Sequence, residues 1–349
     1  MGLQIRKKAG LYLILAAEAA SLLFGGCSSS PESIADSQEE ASAIVDYTCI
    51  SNLESEHQIY VILKNYHGNY WEKVIDGIAA AAEEIDAAVY LGGIDNETDI
   101  AGQIFLMEQA VEQGADGILL APANSNSLMD SCQMVRKHEI PLVLIDSSIN
   151  SNDYNSCYMT DNMDAGKMAA EQMLTMLYDA DNSPDNPLEI GIQLSSDTSQ
   201  AMVNRISGFL DYWANYAPEQ WTIANDIPVN GGDVKKAAAD TAALLKTHPQ
   251  LKGLFGCNNT STIGIASTIL AQNRTDIVMV GFDLAEETRQ LIENPDYHGV
   301  SLMQKQDQMG YRGMLSLNAL IRGEASGQKY FDTGVILIDS DYLMENDVS

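Results

Sequence analysis

The sequence predicts an α/β protein of two lobes of similar design, each a doubly wound, mainly parallel sheet. Three observations predict it. Short apolar runs of strand-forming residues recur along the body, and each is followed by a stretch of helical periodicity, the alternation of a parallel sheet covered on both faces by helices. The 349 residues, 46% of them hydrophobic, exceed what a single small core needs and suit two domains. An Asn- and Pro-rich cluster at 182–187 divides two such series of elements, with no repeat of solenoid length in either.

The amino terminus reads as a targeting segment. Arg6, Lys7 and Lys8 form a basic start, and 9–24 is an apolar run broken only by Glu18, the pattern of an export signal. The run is too short and ends too polar for a good spanning helix. Leu23, Phe24, Gly25, Gly26 and Cys27 resemble a bacterial lipobox, with Phe24 where that pattern more often has leucine. The resemblance implies that 1–27 is a signal peptide and that Cys27 is lipidated and becomes the first residue. Residues 28–56 are rich in Ser, Glu, Ala and Asp without periodicity and are expected to be a flexible tether.

The body opens at 58–77, QIYVILKNYHGNYWEKVIDG. Its continuous apolar run at 59–63 marks a strand buried on both faces, and Val74, Ile75, Ile78 and Ala82 fall at helical spacing after a polar turn. Ligands of open parallel sheets sit beyond the carboxyl ends of the strands, which places Lys64, Tyr70 and Trp71 at a cleft mouth. Being adjacent, Tyr70 and Trp71 are expected on different sides of their turn. Further strands are predicted at 87–91, 117–121, 141–145 and 156–160, with helical stripes between them. The second series has helices at 163–178, 199–216, 233–245, 260–270 and 307–321, and strands at 188–194, 221–227, 253–257, 277–282 and 300–303.

Charge excludes some functions. The chain carries a net charge of -30; the first 26 residues contribute +2, so the rest carries -32. Nucleic acid is a poor partner for such a body. There is no GxxxxGKS or GxxxxGKT phosphate loop, no GxGxxG, no HExxH and no GxSxG, and the five histidines are scattered, so neither a catalytic site, a cofactor nor a metal is expected. Cys49, Cys132, Cys157 and Cys257 match no metal spacing; Cys132 shares a helical face with Leu128 and Val135, and the disulfide state of all four is open.

What recurs is a polar residue just past a buried strand. Lys64, Asp146, Asn258, Asp283 and Gln304 occupy such places, and Arg205 lies in the first turns of the helix after strand 188–194. One such residue is ordinarily a helix cap or turn former. Six aimed at one cleft describe a site for a neutral polyhydroxylated ligand. Carboxylates accept from hydroxyl pairs, Arg and Lys donate to ring oxygens, Asn and Gln do both, and an aromatic face packs on the C–H side of a pyranose.

At these residues the chain, from about 58 to 339, resembles the type I periplasmic binding proteins of the ribose, allose and galactose branch. The opening VILK, then Asn69, Tyr70, Trp71, then Asp76 and Gly77, is similar to the allose-type opening, as is GILLAP at 117–122. Asp146 falls on the family's first ligand carboxylate. Arg205 in RISGF, Asn258 in FGCNN, Asp283 in VMVGFD and Gln304 fall on its ligand arginine, asparagine, second carboxylate and hinge glutamine. In two places the chain departs from the family: Ser147 stands where Arg or Glu is frequent, and 231–233 occupies the place of an aromatic that closes the sugar's second face.

The resemblance implies three crossings between lobes, near 160–162, 304–305 and 332–334. It gives a first lobe of 58–160 plus 305–332 and a second of 161–304 plus 333–345. The implied function is capture of a monosaccharide or related polyol by hinge closure, at the outer face of a membrane, and delivery to an ABC transporter permease; a receptor presenting a sugar or autoinducer to a sensor kinase would use the same residues. A repressor of the same fold is disfavoured by the export signal and the lack of a basic helix-turn-helix. An enzyme would need an acid and base pair at a reacting bond, and a binder uses Asp146 and Asp283 equally well.

Overall fold

The computed structural model describes residues 47–346, except 52, 53, 56, 86 and 325–328. The expected signal peptide, Cys27 and most of the expected tether therefore lie outside the described residues. Among the described residues, no helix is long and apolar enough to cross a membrane.

The first lobe is built on a seven-stranded sheet. Its strands are β1 (Thr48–Cys49), β2 (Gln58–Leu63), β3 (Ala88–Gly93), β4 (Gly117–Leu120), β5 (Leu142–Ile145), β6 (Ser156–Met159) and β12 (Tyr330–Asp332), in the order β1-β3-β2-β4-β5-β6-β12. All pairings are parallel except β1 on β3. Every residue of β4, β5 and β6 is buried, as strands with helices over both faces require. The helices are α1 (Asn69–Ile85), α2 (Ile100–Glu112), α3 (Met129–Lys137) and α9 (Gln306–Ile321). Asp99 caps α2 by accepting from the Gly102 N–H. Gly77 of α1 lies against α9, where a Cβ would meet the Asp307 carbonyl oxygen, so the helix pair closes only on glycine.

The second lobe is a six-stranded sheet of β7 (Leu188–Gln193), β8 (Trp221–Ile223), β9 (Leu251–Gly256), β10 (Val278–Phe282), β11 (His298–Gln304) and β13 (Val335–Ile338), ordered β13-β11-β10-β9-β7-β8. Only β13 is antiparallel to its neighbour. Its helices are α4 (Asn162–Asp179), α5 (Gln200–Tyr216), α6 (Val234–Thr247), α7 (Asn259–Ala271), α8 (Glu286–Glu293) and α10 (Ser340–Glu345). Here too a glycine pair brings two helices together: a Cβ on Gly166 of α4 would meet the Arg205 carbonyl, and one on Gly208 of α5 the Met163 carbonyl. The chain passes from one sheet to the other between β6 and α4, between β11 and α9, and between β12 and β13.

The structure corrects three expectations. The tether was expected to run to residue 56, yet β1 already pairs with β3, with Thr48 opposite Leu91 and Cys49 opposite Tyr90. Tyr47 anchors it: the ring packs edge-on against Tyr60, 4.8 Å between centroids, and the hydroxyl donates to the Leu106 carbonyl at 2.7 Å. The strand expected at 221–227 stops at Ile223; the chain bends at residue 225, and a single bridge, Leu194 to Val229, continues the ladder beyond it. Helices α8 and α10 and strands β12 and β13 were not expected. Each is short, and α8, EETRQLIE, has too few apolar residues to show a period.

Candidate functional site

Both sheets turn their carboxyl edges toward one cleft, and a cavity of about 50 Å³ lies there. That is room for a few water molecules. Lys64, Tyr70, Trp71, Asp146, Arg205, Asn258, Asp283 and Gln304 all line it. The eight residues expected to bind the ligand thus line one cavity, four from the first lobe and four from the second.

Lys64 follows β2 and Asp146 follows β5, and their charges meet at 2.7 Å between Nζ and Oδ2. Burial disfavours the Lys64 ammonium, but Asp146 and, more distantly, Glu97 outweigh it, so its pKa lies above the ordinary lysine value. The Tyr70 hydroxyl donates to Asp146 Oδ1 at 2.6 Å; burial, then Asp146 and Asp283, hold the phenol well above its ordinary pKa. Trp71 packs edge-on to Tyr70 with centroids 5.0 Å apart, and the Lys64 ammonium stands 5.9 Å from the indole. Tyr70 and Trp71 were expected on different sides of their turn. Both are instead buried and line the cavity: they belong to the first turn of α1, and two large rings about 100° apart on a helix converge at its end.

The second lobe mirrors this geometry. Asp283 follows β10 as Asp146 follows β5, and both adopt φ +64°, the left-handed conformation that aspartate tolerates better than most residues. Each gives its N–H to the neighbouring strand, Asp146 to the Tyr158 carbonyl and Asp283 to that of Leu302, at 3.0 Å in both cases. Neither is a helix cap. Asp283 accepts from the Gln304 N–H (3.1 Å), the Gln304 side-chain amide (3.0 Å) and the Gln306 amide (2.7 Å). Burial raises its pKa to about 6 even though the Gln304 N–H and Arg205 pull it down.

Arg205, 1% exposed, stacks on Phe282 with its guanidinium carbon 3.7 Å from the ring centroid. It donates to Asn162, to the Cys257 carbonyl and to Gln304 Oε1. Burial lowers its pKa, opposed chiefly by Asp283. Gln304 sits where the chain leaves the second sheet, and its Oε1 also accepts from Thr160, where the chain leaves the first. Asn258 does serve as a cap, accepting from the Ser261 N–H and hydroxyl with Oδ1, and its NH₂ is left for the cavity.

Sequence reasoning missed several residues. Glu97, beyond β3, and Ser195, beyond β7, also line the cavity and meet across the cleft at 3.2 Å. The strand-end rule applies to both. It fails at Glu97 because 94–99, IDNETD, offers three acids and only the fold shows which one turns inward. Asn259 donates to Asn69, whose amide donates to the Leu284 carbonyl, and the Ser147 and Ser199 hydroxyls meet at 3.0 Å, so the lobes touch at several points around the cavity. The three described cysteines nearest the cores, Cys132, Cys157 and Cys257, are buried, and with Cys49 they are free thiols.

The chain also resembles known proteins. The family model described as the periplasmic binding protein domain matches residues 59–325. The chain is similar to the ribose import binding protein RbsB of Escherichia coli strain K12, 20% identical over 283 residues that cover 81% of this chain and 91% of the relative. It is 24% identical to the D-ribose/D-allose-binding protein of Pseudomonas aeruginosa over 246 residues, 68% of this chain and 74% of that one. Among solved structures, an ABC transporter solute binding protein from Agrobacterium vitis with bound D-fucose superposes with a TM-score of 0.77 at 25% identity, covering 83% of this chain and 98% of that one.

Proposed function

Because this chain belongs to the periplasmic binding protein family, in its type I ribose and allose branch, we propose that it captures a monosaccharide between its lobes and delivers it to an ABC importer. It is a binding protein and not an enzyme. The observation that carries the proposal is a cavity into which both lobes send complementary groups: Lys64, Tyr70, Trp71 and Asp146 from one, Arg205, Asn258, Asp283 and Gln304 from the other. Carboxylates, amides, a guanidinium and an indole in one small space are what vicinal hydroxyls and a pyranose C–H face require. The proposed action is closure of the lobes about the strands that join them, since a ligand bound by both lobes favours the form in which they meet. Periplasmic binding proteins are a standard example of such hinge closure.

We extend the proposal to the amino terminus, where Cys27 would hold the protein at the outer face of the membrane by a lipid. Palmitate labelling that Cys27→Ala abolishes is the expected result; labelling that survives the substitution ends that part of the reading.

The binding proposal is tested by calorimetric titration with D-ribose, D-allose, D-arabinose, D-fucose and xylitol. A saturable one-site isotherm for a monosaccharide, lost in Asp283→Ala, supports it. Binding that persists unchanged in Asp283→Ala would mean that the ligand sits elsewhere.

A further inference from the structure

We infer that Glu97 is a further specificity-determining residue and that the group it selects on the ligand is a protonated amine, an inference that rests on the sugar-binding reading above. The ionisable groups buried around the cavity are two cations, Lys64 and Arg205, and three carboxyls, Glu97, Asp146 and Asp283. Both cations are engaged. Lys64 pairs with Asp146, and Arg205 spends its donors on Asn162, Cys257 and Gln304, with Asp283 the acid that acts on it most strongly. Asp146 also receives the Tyr70 hydroxyl, and Asp283 receives three donors.

Glu97 is the carboxyl left over. It is 8% exposed, and among the described residues its hydrogen-bond partner is the Ser195 hydroxyl, through Oε2, with no cation in ion-pair range. Glu97 lines the cavity, and a carboxylate has about four acceptor positions, so most of its capacity is unspent on the described residues. Gly232, at positive φ, lies along its flank. A Cβ on Gly232 would stand 3.4 Å from Glu97 Cγ and 3.7 Å from Oε1. Burial pushes the carboxyl above the ordinary carboxylate range, with Lys64 opposing from a distance and Asp146 adding to the rise. The site lacks a donor at this point, and the charges lack a cation. A ligand ammonium supplies both in one group; a hydroxyl supplies only the hydrogen bond and leaves a third buried carboxylate uncompensated.

The experiment is calorimetric titration of the purified protein with matched series, each a hydroxyl sugar, its amino counterpart and the N-acetylated form of that amine, repeated with Glu97→Gln. The substitution keeps the shape and an oxygen for the Ser195 contact, removes the charge and turns the other acceptor into an NH₂ donor. In the native protein the amino sugar is expected to bind about ten- to a hundredfold more tightly than the hydroxyl sugar, as a hydrogen bond between charged groups would give, and the N-acetyl form to lose that advantage. Glu97→Gln should bring the ratio close to one. A hydroxyl sugar that binds as tightly as its amine, or a ratio unmoved by Glu97→Gln, overturns the inference and leaves the sugar-binding reading standing. Proton uptake on binding a hydroxyl sugar, read from the dependence of the heat on the buffer, would show that a proton fills the place assigned to the amine. No binding by any member of the series sinks both readings.

Discussion

Asp283 makes the structure's stability depend on acidity in a direction opposite to that of most paired carboxylates. Its pKa rises from 3.8 to about 6 because burial disfavours the charge more than Gln304 and Arg205 favour it. A folded-state pKa raised above the unfolded value means that the contribution is fully present below pH 3.8 and lost as pH rises through about 6. A rise of roughly two units at about 1.36 kcal/mol each amounts to about 3 kcal/mol. The perturbation is Asp283→Asn, which removes the titration. The substitution also sets an NH₂ against the Gln304 amide, and Gln304 cannot flip freely because its Oε1 serves both Thr160 and Arg205. That cost is the same at every pH, so only the slope matters. Thermal unfolding of native protein and variant is followed from below pH 3.8 to neutral pH, and the difference between the two cancels all other titrating groups. The native protein should lose about 3 kcal/mol relative to the variant, on the order of 6 °C for a chain of this size. A difference that stays flat across that interval refutes the argument, and with it the claim that Asp283 is sealed from water.

Three further outcomes follow from other contacts. Asp146→Asn leaves the buried Lys64 ammonium without its partner, a loss of about 3–5 kcal/mol; ligand affinity by calorimetry should fall at least a hundredfold, and a change within threefold would show that the pair is not closed over in the bound form. Gly166→Ala drives a methyl group into the Arg205 carbonyl of α5, so denaturant unfolding should show about 1–3 kcal/mol of destabilisation together with weaker binding, because Arg205 moves with its helix; native stability would contradict the helix contact. Burial pushes the Cys132 thiol up to about 12 and those of Cys157 and Cys257 higher than usual, while Cys49 is half-buried. Peptide mapping after maleimide treatment of the native protein should find Cys49 modified among these four, and rapid labelling of Cys257 would contradict its place in the core.

The alternation of strands and helices was readable because each buried strand is a run such as VYLGG or LVLI and each helix carries its own apolar stripe. The site was readable for the same reason. In a parallel sheet the strand end fixes where the next side chain stands, so Lys64, Asp146, Asn258, Asp283 and Gln304 could be placed in one cleft before any coordinates. What could not be read depends on contacts between distant segments. The pairing of Tyr47 with Tyr60 and Leu106, which turns an apparent tether into a strand, leaves no local pattern. Glu97 is one acid among three until Ser195 and Gly232, about a hundred residues or more away, meet it. The left-handed turn shared by Asp146 and Asp283 is likewise silent in sequence, since neither residue is a glycine and neither caps a helix.

The outer strands of the two sheets have a consequence for life at high concentration. An unpaired strand edge is a template on which a second chain can add itself. Here the seven-stranded sheet ends in β1, two residues, and β12, three; the six-stranded sheet ends in β8, three residues, and β13, four. The long strands β2, β7, β9 and β11 are all interior. Among the described residues a neighbouring molecule therefore finds no edge long enough to extend, and with a net charge of -30 on each chain it is repelled before it arrives. Crowded copies of this protein should remain separate particles.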